Sequence, residues 1–188
     1  MPMHYCVAVI RPKEGPLSLA SILAPFCGDP DLAALGGAVP EFQEDEDANF
    51  DDEAQAKGYW YNPDAHWDWW EEGGRWEGLW GYDLAPIPLA DLPDPETYEP
   101  TEAEERAIRL DYESLLAKIE RHGESRERKR PKSFDDFRRT HIRFRECAEP
   151  YAYVDADGSW VEGGVPFWDY VRSLPKDDFT VDVVDCHC

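Results

Sequence analysis

Apolar residues run almost without a break through His4-Tyr-Cys-Val-Ala-Val-Ile10, and this β-rich stretch predicts a central strand. Leu17-Ser-Leu-Ala-Ser-Ile-Leu-Ala-Pro-Phe26 reads as a short helix stopped near Pro25 and Gly28. Over residues 41–53 the apolar pattern gives way to eight acids and no base, which reads as a solvated loop or a partner-facing patch. Pro86, Pro88, Pro93, Pro95 and Pro100 make residues 84–100 an extended connector, neither strand nor helix. Thr101-x-x-Glu104 is a capping box opening a helix, along which Ile108, Tyr112, Leu115, Leu116 and Ile119 recur at helical spacing until Gly123. Ser133-x-x-Asp136 opens a second helix with Phe134, Phe137 and Phe144 on one side. Tyr151–Val154 and Ser159–Glu162 flank Asp155-Ala-Asp-Gly158, a β-hairpin signal. Pro166–Leu174 reads as a short helix, and 179–184 as the closing strand.

This order predicts an α+β fold: a small, mostly antiparallel sheet with helices on one face, of ferredoxin-like flavour. The first and last strands are the most apolar and are expected to pair in its centre. A chain of 188 residues fits a single domain over 1–188. Within it, 84–100 is the connector and 101–148 a helical hairpin inserted into the sheet.

Charge narrows the partners. Forty-one acids against nineteen bases give a net charge of -22. Such a field repels nucleic acid and anionic membranes and attracts basic protein surfaces, unless it serves solubility alone. Ten of the bases fall within 121–145, beside four acids. That arm either docks on the chain's own acidic surface or forms an anion site. The five cysteines are odd in number, no basic leader precedes Cys6, and no apolar run approaches a membrane span. These features predict a cytoplasmic protein with reduced thiols.

The densest chemistry lies in residues 59–76, where Trp60, Trp67, Trp69, Trp70 and Trp76 stand among Asn, Asp, His and Arg. An indole N–H needs an acceptor, so this mixture suggests a recognition surface. The candidate ligand-binding residues are Asn62, Trp67, Trp69, Trp70, Arg75 and Trp76. Arg75 could clamp an anion, or it could lock onto Asp68 and an indole; Gly73-Gly74 leaves room for something to approach. Asp64, His66, Asp68, Glu71 and Glu72 form a cluster of metal-ligand type, and Cys186-His187-Cys188 with Cys6 resembles half a zinc site. Neither has closed-site spacing, so no metal and no cofactor is expected. Phosphate-loop, dinucleotide and nucleophile-elbow motifs are absent.

Three motifs together resemble a family of phage and prophage proteins that carries no established activity. They are Asn62-Pro63 with Trp67-Asp-Trp-Trp70 and Gly73-Gly-Arg-Trp76, then Asp157-Gly-Ser-Trp160, then Val183-Val-Asp-Cys-His187. Lysine is common in that family where His66 stands, which speaks against His66 as an essential ligand. The resemblance implies interference with a host defence system. The expected function is therefore non-enzymatic: binding and inhibition of a host factor by nucleic-acid mimicry. Glu44, Asp45, Glu46, Asp47, Asp51, Asp52 and Glu53 would face that partner in the host cytoplasm, with no direct contact to nucleic acid or membrane. The alternative is a nucleotide or small-anion binder, or a hydrolase, built on the tryptophan segment and Arg75.

Overall fold

The computed structural model describes residues 4–81, 86–122, 130–142 and 147–188. In chain order the elements are β1 (His4–Pro12), α1 (Leu19–Leu23), α2 (Pro30–Leu35), β2 (Glu41–Glu44), β3 (Phe50–Asp51), β4 (Ala56–Tyr61), β5 (Trp69–Glu72), β6 (Ile87–Pro88), α3 (Glu102–His122), α4 (Phe134–His141), β7 (Ala152–Val154), β8 (Trp160–Glu162), α5 (Phe167–Ser173) and β9 (Phe179–His187). They divide into two units, Met1–Ala90 with Pro150–Cys188, and Asp91–Glu149.

The first unit is a mixed α+β structure with a mostly antiparallel sheet, ordered β5-β9-β1-β7-β8, with β6 also on β9. The two most apolar strands are its centre: β1 and β9 pair antiparallel along their whole length, Val7 opposite Val184. Their side chains alternate between two faces. On one face Tyr5, Val7, Val9 and Val184 pack with Leu19 and Leu23 of α1, Ala33 of α2, and Trp67. On the other, Tyr153 meets Phe167 of α5 at 5.7 Å, and Trp80 stacks on Phe167 at 5.1 Å. Helices therefore cover both faces, not one. Strands apolar on both sides expose an uncovered face unless each side is packed.

The ferredoxin-like expectation also needs correction. A split β-α-β unit places a third strand between the two strands that its crossover joins. Here β1 and β7 pair directly and in parallel, Val7 opposite Ala152. The acidic stretch is not a loop either: β2, β4 and β3 make a separate three-stranded sheet. Part of the Pro-rich connector joins the main sheet as well, with Ile87 opposite Val181 and Leu89 fully buried. An edge strand has a side without ladder bonds, so it tolerates the missing N–H of Pro88.

In the second unit the capping box forms: the Thr101 amide donates to Glu104 Oε2 at 2.6 Å, and the Glu104 amide to Thr101 Oγ1 at 3.3 Å. The bonds from Thr101, with one from the Tyr98 hydroxyl, hold the Glu104 carboxyl below its ordinary pKa. Tyr112 of α3 meets Phe134 and Phe137 of α4 at 5.4 and 5.3 Å. Arg138 donates to Glu105 at 2.7 Å and to Glu99 at 3.2 Å, so this base of the arm is committed to acids of its own unit. Gly123, Arg126, Arg128, Lys129, Arg143, Phe144 and Arg145 lie outside the described residues, as does the link expected to complete a hairpin.

Candidate functional site

The acidic residues stand on a built ribbon. Asp45 Oδ1 accepts the Asp47 amide at 2.9 Å, and Asp51 Oδ1 accepts those of Glu53 and Ala54 at 2.9 and 2.8 Å. Side-chain acceptance of this kind is what Asp brings to a tight turn, so two acids of the run shape the ribbon themselves. Lys57 Nζ is spent on the Glu46 carbonyl at 3.0 Å. Gly58 passes under Phe42, where a Cβ would run into the Phe42 ring and the Gln43 carbonyl. Glu44, Asp45, Glu46, Asp47, Asp52 and Glu53 are exposed, and Asp51 is half-buried. Among the described residues none of the seven carboxylates enters an ion pair. Phe50 and Tyr59 stand in the same small sheet at 57 % and 46 % exposure.

The tryptophan segment divides into a structural part and an open part. Asn62 is buried; its amide donates to the carbonyls of Pro25 and Cys27 at 2.8 and 2.9 Å, and its oxygen accepts the Asp64 amide at 3.1 Å. Trp67 lies in the core, and Trp70 packs half-buried against it, 6.4 Å away edge to face. Asn62, Trp67 and Trp70 thus fasten the segment to the sheet and to the turn after α1. Trp69, on the other face of β5, is exposed and rests its edge on His187. Arg75 is exposed, and among the described residues its guanidinium makes no ion pair or ring contact, so the suggested lock to Asp68 does not form. Trp76 is half-buried. The indole N–H groups of Trp67, Trp76 and Trp160 find no acceptor among the described residues. His66 stacks on Trp160 at 4.5 Å, accepts the Tyr5 hydroxyl with its carbonyl, and so ties the segment to β8.

What approaches Gly73-Gly74 is the chain's own Asp185. Asp185 is 0 % exposed and accepts His4 Nδ1 at 3.1 Å and the Arg75 amide at 3.2 Å. Gly74 has φ +52, and a Cβ there would lie 2.5 Å from Asp185 Cβ and 2.8 Å from Glu71 Oε1. Glycine is needed at this point for conformation and for space together. The pairing of β5 with β9, Glu71 opposite Asp185, thus brings the Gly-Gly-Arg and Val-Val-Asp-Cys-His motifs into one place. The second buried acid, Asp182, is held by Arg11, Nε at 2.6 Å and Nη2 at 3.2 Å. His4, Arg11 and Asp182 were not singled out from the sequence, and Asp185 entered only as part of the C-terminal motif. The available signal was two acids inside an apolar strand, which must find partners when buried.

The His4–Asp185 pair fixes an imidazole, the first requirement of a general base. Cys6 stands opposite Asp185, but burial, then the charges of Cys186 and Asp185, raises its pKa, leaving a protonated and inert thiol. Burial likewise pushes Cys186 up to about 12. All five cysteines are unpaired. Among the described residues no three His, Cys, Asp or Glu are placed to hold a metal, and no helix is long and apolar enough to cross a membrane. Comparison with protein-family models, curated proteins and solved structures finds no match.

Proposed function

We propose that this chain is a non-enzymatic protein of phage or mobile-element type that binds and inhibits a host defence factor in the host cytoplasm. The observation that carries the reading is the acidic ribbon: seven carboxylates without ion pairs among the described residues, held on the turns and strands of a small sheet that also exposes Phe50 and Tyr59. A basic surface that normally holds nucleic acid meets comparable charge on this ribbon, and the two aromatics of the same small sheet supply apolar contact beside it. Leaving so many like charges together costs stability, which speaks for a partner that neutralises them. The motif resemblance supports the phage setting. The test is inhibition of host defence by the wild type and by a quadruple variant, Glu44→Gln, Asp45→Asn, Glu46→Gln and Asp47→Asn. The asparagine side-chain oxygen can still accept the amide two residues on, so the turn survives. The reading requires the variant to fold and to lose inhibition; an equally potent variant contradicts it.

A second reading, a small-anion or nucleotide binder, rests on Arg75, an exposed guanidinium without a side-chain partner among the described residues, next to the His4–Asp185 pair. Arg75→Lys keeps the charge and loses the planar fork. Loss of nucleotide binding in a stably folded Lys variant supports this reading, and undiminished binding removes it.

A further inference from the structure

A cleft of about 200 Å³ opens in the first unit where the parallel strands β1 and β7 end. The crevice beyond the carboxyl ends of parallel strands, where the connecting loops diverge, is a recurrent ligand position. Here Pro16 and Leu17 of the loop after β1 and Ile22 of α1 make an apolar wall, and the turn between β7 and β8 brings Asp155 and Asp157 to its edge. Leu17 stays 58 % exposed on that wall, so the cleft keeps apolar surface in contact with water. The charges do not balance. Arg11 also lines the cleft, but its guanidinium is bound by the fully buried Asp182. Asp155 spends Oδ1 on the amides of Asp157 and Ser159, at 3.0 and 2.8 Å, and neither Asp155 nor Asp157 forms an ion pair among the described residues.

We propose that this cleft binds a small apolar amine, its ammonium against Asp155 and Asp157 and its apolar body against Pro16, Leu17 and Ile22. The excess carboxylate at the edge selects a cation over a neutral or anionic molecule of the same shape. At about 30 Å³ per water the space equals roughly seven waters, the bulk of a phenylethyl group with its amine. The site is independent of the acidic ribbon and does not rest on the proposed function.

The experiment is a titration of the ¹⁵N-labelled full chain with 2-phenylethylammonium, 2-phenylethanol and 3-phenylpropionate, read by amide shifts. The ammonium is expected to saturate in the millimolar range usual for a ligand of about nine non-hydrogen atoms. Its shifts should centre on Gly15, Leu17, Ala156 and Gly158, with the alcohol weaker and the carboxylate silent. Asp157→Asn, at an exposed turn position that Asn tolerates, should weaken the ammonium about threefold, as for a partly exposed ion pair, and leave the alcohol unchanged. Shifts that never saturate, shifts centred on 41–53, or an alcohol that binds as tightly as the ammonium would each overturn the proposal.

Discussion

The ion pair inside the main sheet offers a quantitative check on how this fold tolerates its acids. Asp182 is 0 % exposed, whereas the Arg11 side chain is 24 % exposed. The two partners are therefore unequal when one is removed. Arg11→Met leaves a carboxylate in the interior with its charge uncompensated, a loss of about 3 kcal/mol, the lower end of the range for breaking buried pairs. Asp182→Asn leaves a guanidinium that already reaches water, and costs about 1.5–2 kcal/mol, the lower end for a hydrogen bond between charged groups. Arg11→Met with Asp182→Leu removes both charges and should fall within about 1 kcal/mol of wild type, because apolar replacement of a buried pair is often neutral. All eight tryptophans belong to the first unit, so urea denaturation followed by indole fluorescence reads the unit that contains the pair. An Arg11→Met variant costing less than Asp182→Asn, or a double variant as weak as the worse single one, would show that Asp182 does not depend on Arg11 for its burial.

Other consequences are as direct. Asn62→Ala strands the Pro25 and Cys27 carbonyls, and should cost about 2 kcal/mol in the same denaturation assay while leaving inhibition by the folded protein unchanged. Gly74→Ala meets Asp185 and a positive φ at once, so it should lower stability by more than about 1–2 kcal/mol, the cost of the left-handed backbone alone. Native alkylation at pH 8 followed by mass spectrometry should modify Cys188, the exposed thiol, and spare Cys6 and Cys186 until the chain unfolds. Because the folded pKa of Cys186 is raised to about 12, the unfolded chain loses this proton first; stability is intact below the ordinary thiol range and falls as pH rises from there towards 12, as denaturation across that range would register.

The parts of the fold that local chemistry determines were legible. The capping boxes at Thr101 and Ser133 placed two helix starts, and the Asp-Gly turn placed the β7–β8 hairpin. The unbroken apolar run of β1 marked a central strand, yet the same run implied cover on both faces, which the one-faced helix layer did not supply. The acidic sheet was hidden because its strands alternate weakly and its turns are made by Asp45 and Asp51, which read as charge rather than as turn formers. For the site, Arg75, Trp69 and the exposed acids stayed accessible. Asn62 and Trp67 looked like recognition residues because a polar atom beside dense aromatics suits a pocket, and equally suits a loop pinned to a core. His4 and Asp185 are 181 positions apart, and only the pairing of the first and last strands brings them together.

The proposed function has the ribbon at 41–53 meet a basic protein surface. Its most direct measurement is the salt dependence of binding to the host factor, for the wild type and the quadruple neutralised variant side by side. Wild-type affinity should fall steeply from roughly 50 to 300 mM salt through slower association, and the variant should bind weakly with a shallow dependence. Equal affinity and equal salt dependence for the two proteins would contradict it.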